Sequence, residues 1–436
     1  MMREKTAGDR SSIRPVKPNT LFYLRISVFG FSMSGLWNCL HSIILPLIVL
    51  QYVGQYSKNT ILGIMTFSGL ALAMIVQPSA GSISDRSHFR WGRRRPYILM
   101  GSLLLLFSLP GIAFSRGILL ALFAYCLVQI GGNTAQSAYQ GFIPDLVPFK
   151  YRGRASGMKG LLEIFGSVLL MYPVGVFMDR YASTGSQKWL GWALGILALT
   201  LITALLFTLI RVREKGIVKG SVGRLKDFWK IFKIETSDNR NFIIFLFSRF
   251  FFFMGFTPLQ TFALYFLTDN LDLANPAINT ANFAAAAGLG MLVSVYPAGR
   301  ISDHWGRKPL HYLAGFLAAS GVLFLYVFRH NYTGILFASA LIGFGYGSYL
   351  SVNWAMGTDL AGDKEAARYL GLINLTTAAA AATSRLIGPL IDLFNKTREG
   401  LGYSVMLMIC FISLLLATGL ISRIRISDRI SVPPSD

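Results

Sequence analysis

Five arginines and one aspartate crowd the stretch GSISDRSHFRWGRRRPYI at residues 81–98. The aspartate is Asp85, and the arginines are Arg86, Arg90, Arg93, Arg94 and Arg95. A carboxylate beside guanidinium groups forms charge-assisted, often bidentate hydrogen bonds that are stronger than neutral ones. We therefore expect a latch here, meaning a polar contact made in one conformation and broken in another, with Arg93 and Arg95 as the partners of Asp85. The alternative is that the arginines only fix the orientation of the chain in a membrane, which requires no aspartate.

The segments that must position this stretch are strongly apolar. The chain has 436 residues, of which 53% are hydrophobic and 14% are charged, whereas soluble domains carry about 25% charged residues. Its apolar runs reach about 20 residues or more, enough to cross roughly 30 Å of hydrocarbon. Twelve membrane spans are predicted, at 21–50, 59–83, 96–115, 117–144, 153–179, 190–210, 241–268, 276–299, 309–328, 332–358, 366–392 and 401–422. The fold class is therefore an all-α polytopic membrane protein.

The distribution of basic residues decides between two explanations of the net charge of +21. A nucleic-acid-binding protein would gather these charges on one domain. Here most Lys and Arg lie in the N-terminus, the C-terminus and the loops that follow even-numbered spans. The opposite loops hold Lys58, Arg116, Arg180, Lys188, Arg329, Lys396 and Arg398. This is the positive-inside bias, so we expect a multi-pass protein of the cell or inner membrane, with both termini cytoplasmic and no nucleic-acid partner.

The sequence repeats itself at an offset of 214 residues. PDLVPFKYRGRASG at 144–157 aligns with TDLAGDKEAARYLG at 358–371, which pairs Asp145 with Asp359 and Arg154 with Arg368. GRISDHWGRKP at 299–309 echoes the arginine-rich stretch, whose first copy is four residues longer. Twelve helices in two pseudo-symmetric six-helix bundles are predicted. The predicted divisions are a tail at 1–20, bundles at 21–210 and 241–422, a linker at 211–240 and a tail at 423–436.

The linker contains RLKDFWKIFK, in which four apolar residues recur at helical spacing among lysines and an arginine. This pattern predicts a basic amphipathic helix lying flat on an anionic lipid surface. A solvated linker is the alternative interpretation.

The duplicated arginine-rich loop resembles the signature of the major facilitator superfamily, G-x-x-x-D-R/K-x-G-R-R/K, with four residues inserted before Gly92. The longer form, which includes Arg90, Trp91, Arg95 and Pro96, resembles the branch that contains plant sucrose–proton symporters and the glycoside–pentoside–hexuronide family. The resemblance implies alternating access, in which the latch joins both halves on the cytoplasmic side when the cavity opens outward. The expected latch residues are Gly81, Asp85, Arg86, Arg90, Gly92, Arg93, Arg95, Asp145, Arg154, Asp303, Gly306, Arg307, Asp359 and Arg368.

Polar residues inside the predicted spans are candidates for substrate binding, because transporter sites lie near the bilayer midplane between repeats. Amides, hydroxyls and aromatic faces suit a neutral polyol. The candidates are Trp37, Asn38, His41, Asn133, Gln136, Tyr139, Gln140, Gln260, Tyr265, Asn282, Asn353, Trp354 and Asn374. Any one of them could instead hydrogen-bond a neighbouring helix, at about 0.6 kcal/mol on average. Two departures weaken the transfer of cargo from relatives: Gln140 replaces an arginine of sucrose symporters, and span 59–83 contains no acid.

Glu163 is the one acid predicted deep in the membrane, about 16 Å along the fifth span. Lys159 lies four residues earlier on the same helix face, so an ion pair is available. A static pair that steadies the helix is one interpretation. The other is a coupling site, where Glu163 exchanges its proton or its partner during transport.

The sequence contains no nucleotide-binding loop and no metal-ligand motif. GFGYG at 343–347 lies inside an apolar span, where close helix packing explains the glycines. We therefore expect no enzyme activity, no cofactor and no bound metal. The predicted function is a secondary active transporter, monomeric and embedded in lipid, that carries a sugar or glycoside with a proton. The alternatives are an exporter or flippase for drugs, lipids or other metabolites, which a wide apolar cavity would favour, and a non-transporting membrane sensor.

Overall fold

The computed structural model describes residues 19–87, 89–214, 240–271, 273–361 and 366–424. The predicted amphipathic helix of the linker and most of both tails lie outside these residues. The helices are α1 (Thr20–Val53), α2 (Lys58–Arg86), α3 (Arg95–Ala113), α4 (Ile118–Leu146), α5 (Arg152–Thr184), α6 (Gln187–Arg211), α7 (Arg240–Thr261, continued by Ala263–Leu271), α8 (Pro276–Trp305), α9 (Arg307–Val327), α10 (Tyr332–Ala361), α11 (Ala366–Arg385, continued by Gly388–Thr397) and α12 (Leu401–Ser422).

Eleven helices of the described chain are long and apolar enough to cross a membrane. The remaining predicted span, 366–392, corresponds to the broken helix α11. It is interrupted at residues 386–387, just before Pro389, whose ring removes a backbone donor and clashes with the preceding turn. Its first part is rich in alanine and threonine, so its hydropathy is modest. The chain is therefore an all-helical, multi-pass membrane protein, as the sequence predicts.

Helix α1 contains a π-turn at Leu40–Ile44. Pro46 follows it directly and cannot donate a backbone hydrogen bond to the preceding turn, which relaxes the helix locally. The extra residue rotates everything after it relative to the first part of the helix. His41 therefore lies on the π-turn, within the stretch where the helix changes its face.

The helix contacts repeat in the two halves of the chain. In the first half α1 packs on α5 and α6, α3 on α4 and α6, and α2 on α4; the same pairs six helices later pack in the second half. Between the halves, α5 contacts α8, and α2 contacts α11. The contacts thus follow the duplication, while the domain boundaries themselves stay a prediction, because residues 215–239 are not described.

Glycines let helices approach closely at several crossings. A Cβ on Gly343 of α10 would lie 1.9 Å from the carbonyl oxygen of Ala287 on α8, and one on Gly345 would lie 2.6 Å from the backbone nitrogen of Ala318 on α9. Real Cβ atoms do not tolerate such distances, so only glycine fits. The structure confirms that GFGYG is a helix-packing motif.

Candidate functional site

A large cavity lies between the two halves, lined by α1, α5, α7, α8 and α10. Its volume is about 1380 Å³. We call the end of the bundle that carries residues 87–94 the arginine end, and the opposite end the far end. The cavity extends from Met171 toward the arginine end, where Ser156, Arg300 and Ser351 also line it.

Helices α5 and α8 show where the cavity is closed and where it is open. Toward the far end they touch: a Cβ on Gly175 would lie 3.2 Å from the Ile278 nitrogen, and one on Gly288 would lie 3.0 Å from Val168. Toward the arginine end, Gly157 and Gly160 of α5 face open space, with nothing within 4 Å of an added Cβ. The two helices therefore diverge, and the cavity widens toward the arginine end.

Two buried aspartates close the far end by capping helices of the opposite half. Asp179, at the end of α5, accepts hydrogen bonds from the backbone N–H groups of Ala277 (2.8 Å) and Ile278 (2.9 Å) at the start of α8. Anionic groups are stabilised at helix N-termini, where amides lack intrahelical partners and the helix dipole is positive. Asp179 thus joins the two halves electrostatically.

Asp392, near the end of α11, makes the corresponding contact with the start of α2. Its Oδ1 accepts from the Asn59 backbone N–H (3.3 Å) and side-chain Nδ2 (2.9 Å). Its Oδ2 accepts from the Thr60 backbone N–H and hydroxyl, both at 2.6 Å. Asn59 and Thr60 precede Ala277 and Ile278 by 218 residues, which is the repeat offset of 214 plus the four-residue insertion. The two caps are therefore related by the internal duplication.

A buried ion pair adds to the far-end closure. Lys58 Nζ lies 2.7 Å from Asp269 Oδ1, and the lysine side chain is 3% exposed. The Tyr403 hydroxyl donates to the second oxygen of Asp269 at 2.7 Å. Tyr265, a predicted substrate residue, instead donates its hydroxyl to the Pro46 carbonyl oxygen (2.6 Å) across the same boundary. These contacts connect α1 and α2 with α7 and α12.

At the arginine end, Asp85 forms its ion pair with Arg94. This corrects the predicted partners: Arg93 binds Asp145, and Arg95 donates to the Leu209 carbonyl oxygen. The reason is the turn at Gly92, whose φ of +110° is left-handed. It brings Arg94, directly before α3, into a buried position between Asp85 and Asp145, where its Nε lies 2.9 Å from Asp145 Oδ2.

Glu214 fixes the start of α3, a role that the sequence did not suggest. Its carboxylate accepts backbone hydrogen bonds from Arg93 (2.7 Å), Arg94 (3.0 Å) and Arg95 (2.9 Å). It lies just past the end of α6, so this cap also belongs to the first half. All the arginine-end contacts named so far are therefore within one half.

The second half repeats the arrangement. Arg307 Nε lies 3.3 Å from Asp359 Oδ2, and this pair follows Arg93 and Asp145 by 214 residues at both positions. Arg307 also donates to Ser302 (2.8 Å), and Gly306 has a φ of +88°. The other predicted latch residues are placed as follows: Gly81 packs on Ser137 of α4, Arg86 is half-buried, Arg90 and Arg154 are exposed, and the side chains of Asp303 and Arg368 are not described.

The polar lining of the cavity centres on Asn38. Its Nδ2 donates to the Ser167 hydroxyl (2.8 Å), and its Oδ1 accepts from Gln260 Nε2 (2.5 Å), so this amide bridges the halves. Glu163 lines the cavity one turn from Ser167, and its Oε1 lies 3.4 Å from Lys159 Nζ. Asn38, Gln260 and Glu163 are the predicted site residues that the structure brings together here.

A second set of predicted residues forms a buried network inside the first half, away from the cavity lining. Gln77 donates to Asn133 (2.8 Å), Asn133 to Gln129 (2.8 Å), and Gln129 to the Tyr125 hydroxyl (2.6 Å). That hydroxyl lies 2.9 Å from His41 Nε2. Trp37 stacks on His41 with ring centroids 5.5 Å apart. These residues hold α1, α2 and α4 together.

The second half has its own buried network around Arg249 of α7, again outside the cavity lining. Arg249 donates to Asn353 and, at 2.8 Å, to the Thr377 hydroxyl. Asn353 donates to the Tyr349 hydroxyl (2.9 Å) and lies 3.2 Å from His311 Nε2. The guanidinium also lies 5.0 Å from the Phe253 ring centroid. Among the described residues no acid pairs with Arg249, so amides, hydroxyls and rings replace its hydration.

The remaining predicted substrate residues are not gathered at the cavity. Tyr139 is buried and donates to the Ser27 carbonyl oxygen at 3.3 Å, and Asn282 donates to the Tyr332 hydroxyl at 2.9 Å. Gln140, Trp354 and Asn374 are exposed, and Gln136 is half-buried. Sequence reasoning missed Ser167 and the far-end groups Lys58, Asp179, Asp269 and Asp392. The available signal was that these charges lie at span ends on the side poor in basic residues.

Comparison with known proteins gives a consistent family. The model of the Major Facilitator Superfamily matches residues 26–384. Sucrose transport protein SUT1 of Oryza sativa subsp. japonica is 25% identical over 157 residues, which cover 31% of this chain and 27% of that protein. The general alpha-glucoside permease of Schizosaccharomyces pombe is 32% identical over 122 residues, covering 24% and 22%. The chain thus matches about a quarter of the length of these relatives.

Solved structures show the same fold. A bacterial homologue of the human lysosomal transporter Spinster, in an inward-facing and unoccupied conformation, superposes with a TM-score of 0.69 at 15% identity, covering 94% of this chain and 99% of that one. A D-xylose–proton symporter gives a TM-score of 0.66 at 19% identity, covering 92% and 97%. At these identities the likeness establishes the fold.

Proposed function

Because the chain belongs to the major facilitator superfamily and is a membrane transporter rather than an enzyme, we propose that it is a secondary active transporter that carries a sugar or glycoside with a proton. The observation that carries this proposal is a cavity between two duplicated halves, closed at the far end and open toward the arginine end. The names of the relatives, a sucrose transporter and an alpha-glucoside permease, support the substrate class.

Alternating access follows from where the contacts lie. The caps made by Asp179 and Asp392 and the Lys58–Asp269 pair must break for the cavity to open at the far end. The acids of the arginine end bind inside their own halves in this state, so they are available to form the proposed latch when the halves close there. By the positive-inside bias, the arginine end is the cytoplasmic end, and the state described here is open to the cytoplasm.

Glu163 is the proposed coupling group. It lines the cavity, its side chain is 26% exposed, and it pairs with Lys159 at 3.4 Å. A charge in the membrane interior costs on the order of 3 kcal/mol by insertion scales, unless it is paired or neutralised. A proton from the cavity would neutralise Glu163 and release Lys159, which changes the charge that the first half presents to the substrate. Asn38, Ser167 and Gln260 would supply the hydrogen bonds to sugar hydroxyls.

The test is uptake into proteoliposomes that contain the full chain. Radiolabelled sucrose, maltose, isomaltose, lactose and xylose would be offered with and without an imposed proton gradient. We expect at least one of these sugars to accumulate above its external concentration with the gradient, and accumulation to stop when an uncoupler is added. If none enters faster than into empty liposomes, the proposed substrate class is wrong.

Glu163→Gln tests the coupling separately. We expect this variant to lose accumulation driven by the proton gradient while it keeps counterflow exchange of the same sugar, because binding and alternation remain. Glu399→Gln, in the exposed loop before α12, is the control and should accumulate normally. Full gradient-driven accumulation by Glu163→Gln would assign that residue to a structural ion pair.

The apolar walls of the cavity favour a second candidate, an exporter or flippase of lipids or lipophilic drugs. Phe256, Phe283 and Met291 are among the many apolar lining residues. Fluorescent lysophospholipid and a lipophilic cation would therefore be offered to the same proteoliposomes. Transport of either one, without transport of any sugar, would establish the second candidate and exclude the first.

A further inference from the structure

The cavity has one polar wall, made by neighbouring turns of α1, α5 and α7. Asn38, Ser167 and Gln260 are connected to one another by hydrogen bonds, and Ser42 and Glu163 line the cavity beside them. All of these groups offer hydroxyl, amide or carboxylate atoms. This wall matches the donors and acceptors of a sugar ring.

The facing wall is apolar over several turns of α8. Its lining residues recur at intervals of three and four, which places them along one face of the helix. They are Phe283, Ala284, Ala287, Met291, Leu292 and Val295. Leu325 and Ile335 of the neighbouring helices α9 and α10 extend the same surface.

The volume of about 1380 Å³ exceeds the roughly 300–1,000 Å³ that is usual for small-molecule sites. A sugar bound on the polar wall leaves the apolar wall uncovered. A second sugar ring placed there would bury hydroxyls without hydrogen-bond partners, which is unfavourable. An apolar group would instead gain by removing both surfaces from water.

We propose that the cargo is a glycoside with an apolar aglycone, aryl or alkyl, rather than a free sugar. The sugar ring binds the Asn38–Ser167–Gln260 group, and the aglycone lies on the α8 face that includes Met291 and Leu292. This inference rests on the proposed function and specifies the substrate class of the same cavity. It also explains how a hydroxyl-binding group and a wide apolar surface come to share one cavity.

The experiment compares glycosides that differ only in the aglycone. Methyl and phenyl α- and β-glucosides, galactosides and xylosides would be titrated calorimetrically into the full chain in lipid nanodiscs, with empty nanodiscs subtracted. For at least one sugar, we expect the phenyl glycoside to bind about tenfold more tightly than the methyl glycoside. Since burying a large apolar side chain contributes about 1.5–3 kcal/mol, and tenfold corresponds to 1.4 kcal/mol, partial burial of the ring suffices.

Two leucines of α8 provide a matched pair of variants. Leu292 lines the cavity, whereas Leu289 is 62% exposed on the helix surface and is not part of the lining. Leu292→Ala should reduce the advantage of phenyl over methyl about threefold or more, and Leu289→Ala should leave it unchanged. Gln260→Ala should weaken both glycosides by the same factor, because it acts on the sugar ring.

The outcomes separate the two proposals. Equal affinities for methyl and phenyl glycosides of every sugar that binds would overturn the apolar-aglycone inference and leave sugar transport standing. A phenyl preference that survives Leu292→Ala unchanged would also overturn the assigned wall. If no glycoside of either kind binds, the proposed sugar site itself fails.

Discussion

The two ends of the bundle use the same kinds of side chain in opposite ways. At the far end, Asp179 and Asp392 bind backbone amides of the other half, and Lys58 pairs with Asp269 across the same boundary. At the arginine end, Asp85 and Asp145 bind arginines of their own half. Both ends are rich in charge, so charge alone does not close a gate. Which end is closed depends on whether the partners lie in one half or in both.

The comparison also explains why the far-end contacts are buried and the arginine-end contacts are less so. Lys58 is 3% exposed, whereas Asp85 is 54% exposed. Hydrogen bonds to buried charged groups contribute about 1.5–3 kcal/mol each, whereas exposed ion pairs contribute about 0–1 kcal/mol. Breaking the far end should therefore change the conformational equilibrium more than altering the arginine end does in this state.

Asp392→Asn should have the largest effect. The wild-type carboxylate accepts four hydrogen bonds from Asn59 and Thr60, and the amide cannot accept on both sides. A loss of roughly 2.8 kcal/mol, about two such bonds, would favour opening at the far end about a hundredfold. The measurement is the rate at which an impermeant thiol reagent, added on the far side, labels a cysteine introduced at Ser42 of the cavity lining.

The same labelling without the introduced cysteine gives the background from Cys39, Cys126 and Cys410. Glu399→Gln, at an exposed far-end position, is the control and should not change the rate. An unchanged rate in Asp392→Asn would mean that this cap does not hold the far end closed.

The Lys58–Asp269 pair should have a smaller effect. Lys58→Gln should raise the same labelling rate about tenfold, or 1.4 kcal/mol, because Asp269 keeps the hydrogen bond from Tyr403. The exchanged variant, Lys58→Asp with Asp269→Lys, should restore part of the closure, since the opposite charges are kept. Equal rates in the single and exchanged variants would show that the attraction between these two residues is not what matters.

Asp85→Asn should have the smallest effect on the state described here, because Arg94 keeps its bond to Asp145. It should still slow net transport about threefold by weakening closure of the arginine end, and so shift the population toward the state open at that end. Transport rates in proteoliposomes check this, with Asp85→Glu as the variant that keeps the charge. Equal rates for Asp85→Asn and the wild type would remove Asp85 from the proposed latch.

The sequence predicts the helices and the duplication well because both depend on local patterns. The spans follow from apolar runs, and the equivalence of Arg93–Asp145 with Arg307–Asp359 follows from the repeat. The partner of Asp85 was predicted wrongly, since it depends on how the turn at Gly92 rotates the start of α3. No pattern within one segment contains that rotation.

The candidate cavity was harder to predict for a related reason. A polar residue inside a span can face a cavity or a neighbouring helix, and its spacing is the same in both cases. The π-turn at Leu40–Ile44 also changes the face of α1 within the stretch that contains Asn38 and His41. Asn38 therefore lines the cavity, whereas His41 joins the buried network around Tyr125.

The most direct test of the account measures both ends of one molecule. Spin labels at Tyr56 and Ala274 would report the far end, and labels at Ile83 and Ile301 the arginine end; both pairs are exposed and related by the 218-residue offset. Alternating access predicts that Asp392→Asn lengthens the far-end distance and shortens the arginine-end distance in the same fraction of molecules. A far end that opens while the arginine-end distance stays long would contradict the account, because the two ends would then open independently.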